Sequence, residues 1–313
     1  LLNFLVKRVL ATVPVLFVVA LAVFLILRLT PGDPAAVIGG DNASTEDIAR
    51  IRQQLGLAKP LVTQFAIWVG QVARGDLGYS YYMNKPVLEL IGQRVEPTAS
   101  LALATMLLAI GTALPLGTLA AWRMGGRLDR GLMAFSVAGF SVPVFVVGYV
   151  LIYIFALQLS WLPVQGYVRI ARGVGPWLRQ LVLPCVALAL IYVALLARVT
   201  RAAVSEALTE DYVRTARAKG IGEGAVLLRH ALANAAVPII TVAGISAAQL
   251  IGGVVVTETV FAIPGLGQLT VDAVLSRDFP VIQGVVLLFS TVYVALNLLI
   301  DISYVFLDPR IRY

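Results

Sequence analysis

Three scarcities bound what this chain can be. Only 13% of its 313 residues are charged, against roughly 25% in ordinary soluble domains. One cysteine, Cys185, and one histidine, His230, exclude an internal disulfide and a conventional Cys/His metal site. No G-x-x-x-x-G-K-[ST] run occurs, so nothing here cradles nucleotide phosphates, and no G-x-S-x-G run presents a nucleophile. Catalytic, cofactor-binding and metal-ligating residues are therefore expected to be absent. What the chain has in abundance is apolar residues, 59% of the total, and it reads as an all-α integral membrane protein. Its net charge of +7 accompanies no soluble basic domain and reads as a membrane topology signal, not as nucleic-acid binding.

Six apolar runs are long enough to cross about 30 Å of hydrocarbon. The first, Val9 to Leu29, follows Lys7 and Arg8 and reads as an uncleaved signal-anchor, giving a first segment 1–29. The others cover approximately Thr98 to Ala121, Gly131 to Leu159, Leu181 to Val204, Asn234 to Thr257 and Val281 to Leu307. The long polar segment 30–96 opens on Pro31-Gly32-Asp33-Pro34, where no helix continues. Ser44 and Asp47 predict a capping-box start for a short helix with Ile48, Ile51 and Leu55 on one face. Phe65, Trp68, Val69 and Val72 mark a second helix, and Pro86 begins a third. Six spans put both termini on one side. That side collects 13 Lys and Arg residues, the two short loops opposite only 4, so the termini, the loop 205–233 and the tail 308–313 are expected to be cytoplasmic.

Within that loop Leu208, Tyr212, Val213 and Ala216 recur at helical spacing, and Gly220 supplies a left-handed stop. Arg214, Arg217 and Lys219 suggest a compact cationic knob, a docking surface for a soluble partner. After the fifth span, Glu258, Phe261, Pro264, Gly265 and Gly267 lie in a stretch too apolar for a free loop and too broken for a helix; it reads as a re-entrant turn at the outer face. Asp301 is the one acid clearly inside an apolar run, near its cytoplasmic end, where a structural partner suffices. Glycines and alanines crowd the fifth span at Gly244, Ala247, Ala248, Gly252 and Gly253, which suits close helix packing.

The run Asp211-Tyr212-Val213-Arg214-Thr215-Ala216-Arg217-Ala218-Lys219-Gly220 resembles the coupling loop of ATP-binding-cassette importer permeases in its dipeptide and oligopeptide form. The Pro-Gly-Asp-Pro turn, Gly75-Asp76-Leu77-Gly78, Trp161-Leu162-Pro163, the run from Thr259 to Gly267 and the tail Asp308-Pro309-Arg310-Ile311-Arg312-Tyr313 are similar to the first of the two permease subunits of peptide, glutathione and nickel importers. Gly222 stands where relatives often carry a capping Ser, a change worth only a few tenths of a kcal/mol. Ile263 stands where they commonly have Trp.

The resemblance implies a type I importer permease fold: six helices, a periplasmic helical insertion at 30–96 and a core domain over 97–307. It implies coupling through Asp211, Tyr212, Arg214, Thr215, Ala216, Arg217, Ala218, Lys219 and Gly220. Implied partners are a second, related permease forming a heterodimer, two cytoplasmic ATP-binding subunits and a periplasmic or lipid-anchored substrate-binding protein, in a bacterial or archaeal inner membrane. Transport would proceed by alternating access, with ATP hydrolysed elsewhere and the cargo chosen largely by the binding protein. The competing class is a stand-alone secondary transporter or channel, which calls for matching breaks or ionisable residues in two halves; no such repeat is evident.

Overall fold

Apolar runs of this length fold as helices because a helix satisfies its backbone hydrogen bonds within the segment. The computed structural model describes residues 2–29, 34–40, 43–54, 56–57, 59–80 and 82–307. In chain order these form α1 (Leu2–Leu29), α2 (Pro34–Gly39), α3 (Thr45–Gln54), α4 (Leu61–Ala73), strands β1 (Tyr79–Ser80) and β2 (Lys85–Pro86), and α5 (Val87–Trp122). Next come α6 (Arg127–Ser141), α7 (Val144–Leu151) with a π-helical continuation Ile152–Gln158, and α8 (Val174–Ala207). The remainder is α9 (Asp211–Ala218), α10 (Glu223–Ala225) with a π-helical continuation Val226–Leu232, α11 (Ala236–Val260), α12 (Leu266–Leu275) and α13 (Phe279–Leu307). The expected turn at 31–33 and the tail 308–313 lie outside the described residues.

Among the described residues α1, α5, α8, α11 and α13 are long and apolar enough to span a membrane, and α6 with α7 makes a sixth span only as a pair bent by 101°. The single helix expected over 131–159 fails at Pro143. Val142 before it is extended, at φ −102° and ψ 121°, because the proline ring drives its predecessor out of the helical region. The third short helix expected from Pro86 does not end before the membrane either; α5 runs 36 residues without interruption and carries Pro97 and Pro115 inside it.

The chain divides into two units, Leu2–Glu96 with Pro264–Ala295, and Pro97–Ile263 with Leu296–Tyr313. In the first, Phe24 of α1 meets Phe65 and Trp68 of α4 with ring centroids 5.2 and 5.7 Å apart. The capping box forms as expected: Asp47 N–H donates to Ser44 Oγ at 3.1 Å, and Ser44 Oγ donates to the Asp47 carboxylate at 2.7 Å. The Ser44 bonds hold the Asp47 carboxyl below its usual range. Val87, Leu90 and Ile91 pack with Leu266, Leu269, Val281 and Val285. The Ser80 hydroxyl donates to Asp278, whose carboxyl is pushed up by burial.

In the second unit α8 is the enclosed element. Two-thirds of its apolar window is buried, against 11% for α1, and α6, α7 and α11 all pack on it. Ser136 Oγ on α6 donates to the Ala194 carbonyl at 3.0 Å. Asp129 at the start of α6 accepts Arg201 Nε at 2.8 Å and Nη2 at 2.9 Å, with the Gly125 N–H adding a third bond at 2.8 Å. Where α5 crosses α8 the approach is so close that a Cβ on Gly117 would lie 2.6 Å from the Ala197 carbonyl oxygen.

Gly117→Ala should therefore overpack this crossing and cost about 1–3 kcal/mol, whereas Gly111→Ala, with no neighbour within 4 Å of the added carbon, should leave the melting temperature in detergent unchanged. Asp129→Ala strands the Arg201 guanidinium and should cost about 2 kcal/mol. Replacing both by Ala and Met should recover part of that loss in the same melting assay.

Candidate functional site

The loop after α8 is built from backbone geometry first. Leu208 closes α8, its N–H donating to the Val204 carbonyl at 3.0 Å, and is not the first residue of the short helix, although its side chain does pack there. Glu210, extended at φ −70° and ψ 151°, caps α9. At the far end Gly220 has φ +76°, Gly220 N–H donates to Arg217 O at 2.9 Å and Ile221 N–H donates to Ala216 O at 3.2 Å. This is a Schellman closure with Gly220 as the left-handed residue, the stop expected from the sequence. No atom lies within 4 Å of where a Cβ on Gly220 would stand, so its requirement for glycine is conformational alone. Gly222 then caps α10 without a side-chain bond.

Two faces follow. Val213 and Ala216 are buried against Val226, with Leu208 and Ile221 packed around them. Asp211, Tyr212, Arg214, Thr215, Arg217, Ala218, Lys219 and Gly220 are exposed. Of the expected docking residues, Ala216 thus belongs to the anchoring face and the rest to the presented one.

The expectation of a cationic knob does not hold. Between 206 and 230 four bases, Arg214, Arg217, Lys219 and Arg229, are matched by four acids, Glu206, Glu210, Asp211 and Glu223. Arg217 pairs with Glu223 in a two-pronged contact, Nε to Oε1 at 2.8 Å and Nη2 to Oε2 at 3.1 Å. Arg214 lies 3.3 Å from Asp211. Arg217 holds the Glu223 carboxyl below its usual range. A depressed carboxyl favours the folded loop above the ordinary glutamate range, and the contribution is lost as pH falls through the lowered value. The Tyr212 phenol is pushed up, by partial burial first and then by Glu210.

At the other end of α11, Glu258 is fully buried and accepts Thr98 Oγ1 at 2.5 Å. Phe261 is also buried, and its carbonyl accepts Gly166 N–H at 2.9 Å. Ala262 has φ +47°, with Ile263 N–H on Glu258 O at 2.9 Å and Ala262 N–H on Thr259 O at 3.4 Å, so α11 ends in a second Schellman closure carrying alanine in place of glycine. Pro264, Gly265 and Gly267 belong to the other unit, where Gly265 caps α12. Of the residues expected in the re-entrant turn, Glu258 and Phe261 thus fall in one unit and Pro264, Gly265 and Gly267 in the other. The Asp129–Arg201 pair was not singled out from sequence; the available signal was an acid in the first turn of a helix that follows Gly125-Gly126.

Comparison with known proteins places this geometry. Residues 113–313 match the binding-protein-dependent transport system inner membrane component family, and residues 1–102 match its N-terminal companion. A probable peptide ABC transporter permease of Sinorhizobium fredii is 53% identical over 310 residues, 99% of each chain. The glutathione transport system permease GsiC of Escherichia coli (strain K12) is 41% identical over 312 residues, 100% of this chain and 99% of that one. Among solved structures, the inward-facing MetNI methionine ABC transporter superposes with a TM-score of 0.59 at 18% identity, covering 71% of this chain and 97% of the other, a likeness of fold. These relatives are transport subunits and not enzymes, and their fold is that of an importer membrane component and not of a stand-alone transporter. With both family models matched and identity sustained along the whole chain, this protein belongs to the binding-protein-dependent transport system inner membrane components, as an ABC importer permease subunit of the inner membrane.

Proposed function

We propose that this chain forms half of the translocation pathway of an importer for peptides or similarly small amide-bearing solutes. Its partners would be a second, related permease, two cytoplasmic ATPases and an outer substrate-binding protein. The observation that carries the reading is α9: eight residues standing on a buried Val213–Ala216–Val226 contact, with Tyr212, Arg214, Thr215, Ala218 and Lys219 presented outward. A short helix clamped this way has no conformational freedom of its own. Docked in an ATPase groove, it would follow that subunit as a rigid lever, and α8, three residues upstream, would carry the displacement into the bundle. The names of the peptide and glutathione relatives support the cargo class.

The same reading places the termini, the loop 205–233 and the tail 308–313 in the cytoplasm, and the segment 30–96 outside, as the insertion preceding the 97–307 core. Its basis is the 13 to 4 division of Lys and Arg residues between the two sides. Cysteines at Ser44 and Glu223 in a Cys185-free chain should label from opposite sides of sealed cells; labelling from one side sinks the six-span arrangement.

Gly220→Val is the direct test of the lever. It should strain the α9 closure by about 1–2 kcal/mol, well within what the membrane spans tolerate, so the variant should insert and pair with the second permease normally. ATPase activity stimulated by the binding protein should be lost or no longer linked to uptake. Gly220→Asn, compatible with a left-handed backbone, should retain most of it. Wild-type coupling in the valine variant would remove α9 from this role.

A further inference from the structure

The glycines of α11 do not share one reason. A Cβ on Gly244 would lie 2.3 Å from Ile300, and one on Gly253 would lie 3.2 Å from Leu188, so both mark close helix packing. Gly252 meets nothing within 4 Å. It points away from the bundle, on a stripe with Ile245, Gln249, Val256 and Thr259, all exposed and spaced four, three, four and three residues apart. Small size at Gly252 is therefore not explained by any contact among the described residues.

Gln249 is the anomaly of that stripe. It is the fourteenth of the 25 residues of α11, which at 1.5 Å per residue puts it near the middle of the span. Its carboxamide offers two donors and two acceptor sites, yet it hydrogen-bonds no described residue of the chain. The threonine hydroxyls of the same helix behave otherwise, Thr241 bonding the Val237 carbonyl at 2.7 Å, Thr257 the Gly253 carbonyl at 3.2 Å and Thr259 the Val255 carbonyl at 2.9 Å, while the unpartnered Ser246 hydroxyl is buried inside the chain and not outward. Over residues 97–121 of α5 the outward positions are Leu103, Leu107, Leu108, Gly111, Pro115, Leu116 and Leu119, none of them polar. An amide left unsatisfied in hydrocarbon is strongly disfavoured.

We infer that the α11 face of Ile245, Gln249, Gly252 and Val256 lines the water-filled route of the importer, and that the Gln249 carboxamide is a hydrogen-bonding subsite for the amide groups of a passing peptide-like solute. This rests on the importer reading above. A carboxamide is the chemical counterpart of a peptide group, donating and accepting at once, and being neutral it imposes no preference for the charge of the solute's side chains. Gly252, one turn along, keeps the wall recessed beside it. The weak, multi-partner character of such a site suits a solute that must leave as readily as it enters.

The test uses the assembled importer, this chain co-expressed with its second permease and ATPases, carrying Cys185→Ala and one new cysteine. Gln249→Cys and Gly252→Cys should react with a negatively charged methanethiosulfonate at least about tenfold faster than Leu107→Cys, because both reagent and thiolate require water. Equal rates at all three positions would overturn the inference and place the face against lipid or the second permease. With the binding protein present, a pool of thiol-free di- and tripeptides, S-methylglutathione among them, should slow labelling at position 249 severalfold and leave a Ser44→Cys control unchanged; unaltered labelling at 249 would remove the solute-recognition claim. A complex that hydrolyses ATP while position 249 stays unreactive sinks only this inference. If no ATPase co-purifies with the permease at all, the importer reading itself fails.

Discussion

Close packing around α8 is the constraint on which the rest of the second unit depends. Interiors packed at crystal density do not deform gradually; they transmit displacement or rearrange. α8 is held by α6, α7 and α11, with backbone-distance contact at Gly117 and polar ties to α6 at Ala194 and Arg201. These ties are seven residues apart, two turns of helix, so α6 and α8 cannot rotate against each other without breaking one of them. A displacement of α8 therefore carries α6 with it.

The presented loop draws its rigidity from backbone closure and a small apolar contact, not from charge. Exposed ion pairs such as Arg214–Asp211 contribute little and are screened by salt. The Schellman bonds at Gly220 and Ile221, and the burial of Val213 and Ala216, are insensitive to salt. With its acids and bases in balance the loop carries no net charge between residues 206 and 230, and the relief of its exposed face is set by side chains such as Tyr212 and Ala218.

What could be read from the sequence was what local rules determine. The left-handed stop at Gly220, the capping box at Ser44 and Asp47, and the spans followed from periodicity, turn chemistry and length. What could not be read depends on contacts distant in sequence. Charge counted along a run missed that Arg217 is joined to Glu223. Hydropathy cannot distinguish one straight span from a pair broken at Pro143, since both score alike. Asp129 looked like an ordinary first-turn acid until α8, 72 residues on, brought Arg201 to it. Gln249 sits in a run whose apolar neighbours hide it in any window average, and its interest appears only once its face is known to be outward.

The two ends of the α8–α11 region close by the same hydrogen-bond pattern with different residues in the left-handed place. Glycine at 220 is relaxed there; alanine at 262, φ +47°, stands about 1 kcal/mol or more above its preferred conformation. Opening the Ala262 closure releases that strain, while opening the Gly220 closure releases none. At about 1.4 kcal/mol for a tenfold change in population, that strain opposes the burial of Phe261 and Ile263 that holds the α11 cap shut. The left-handed alanine therefore biases the end of α11 toward release, and the left-handed glycine applies no such bias to the end of α9.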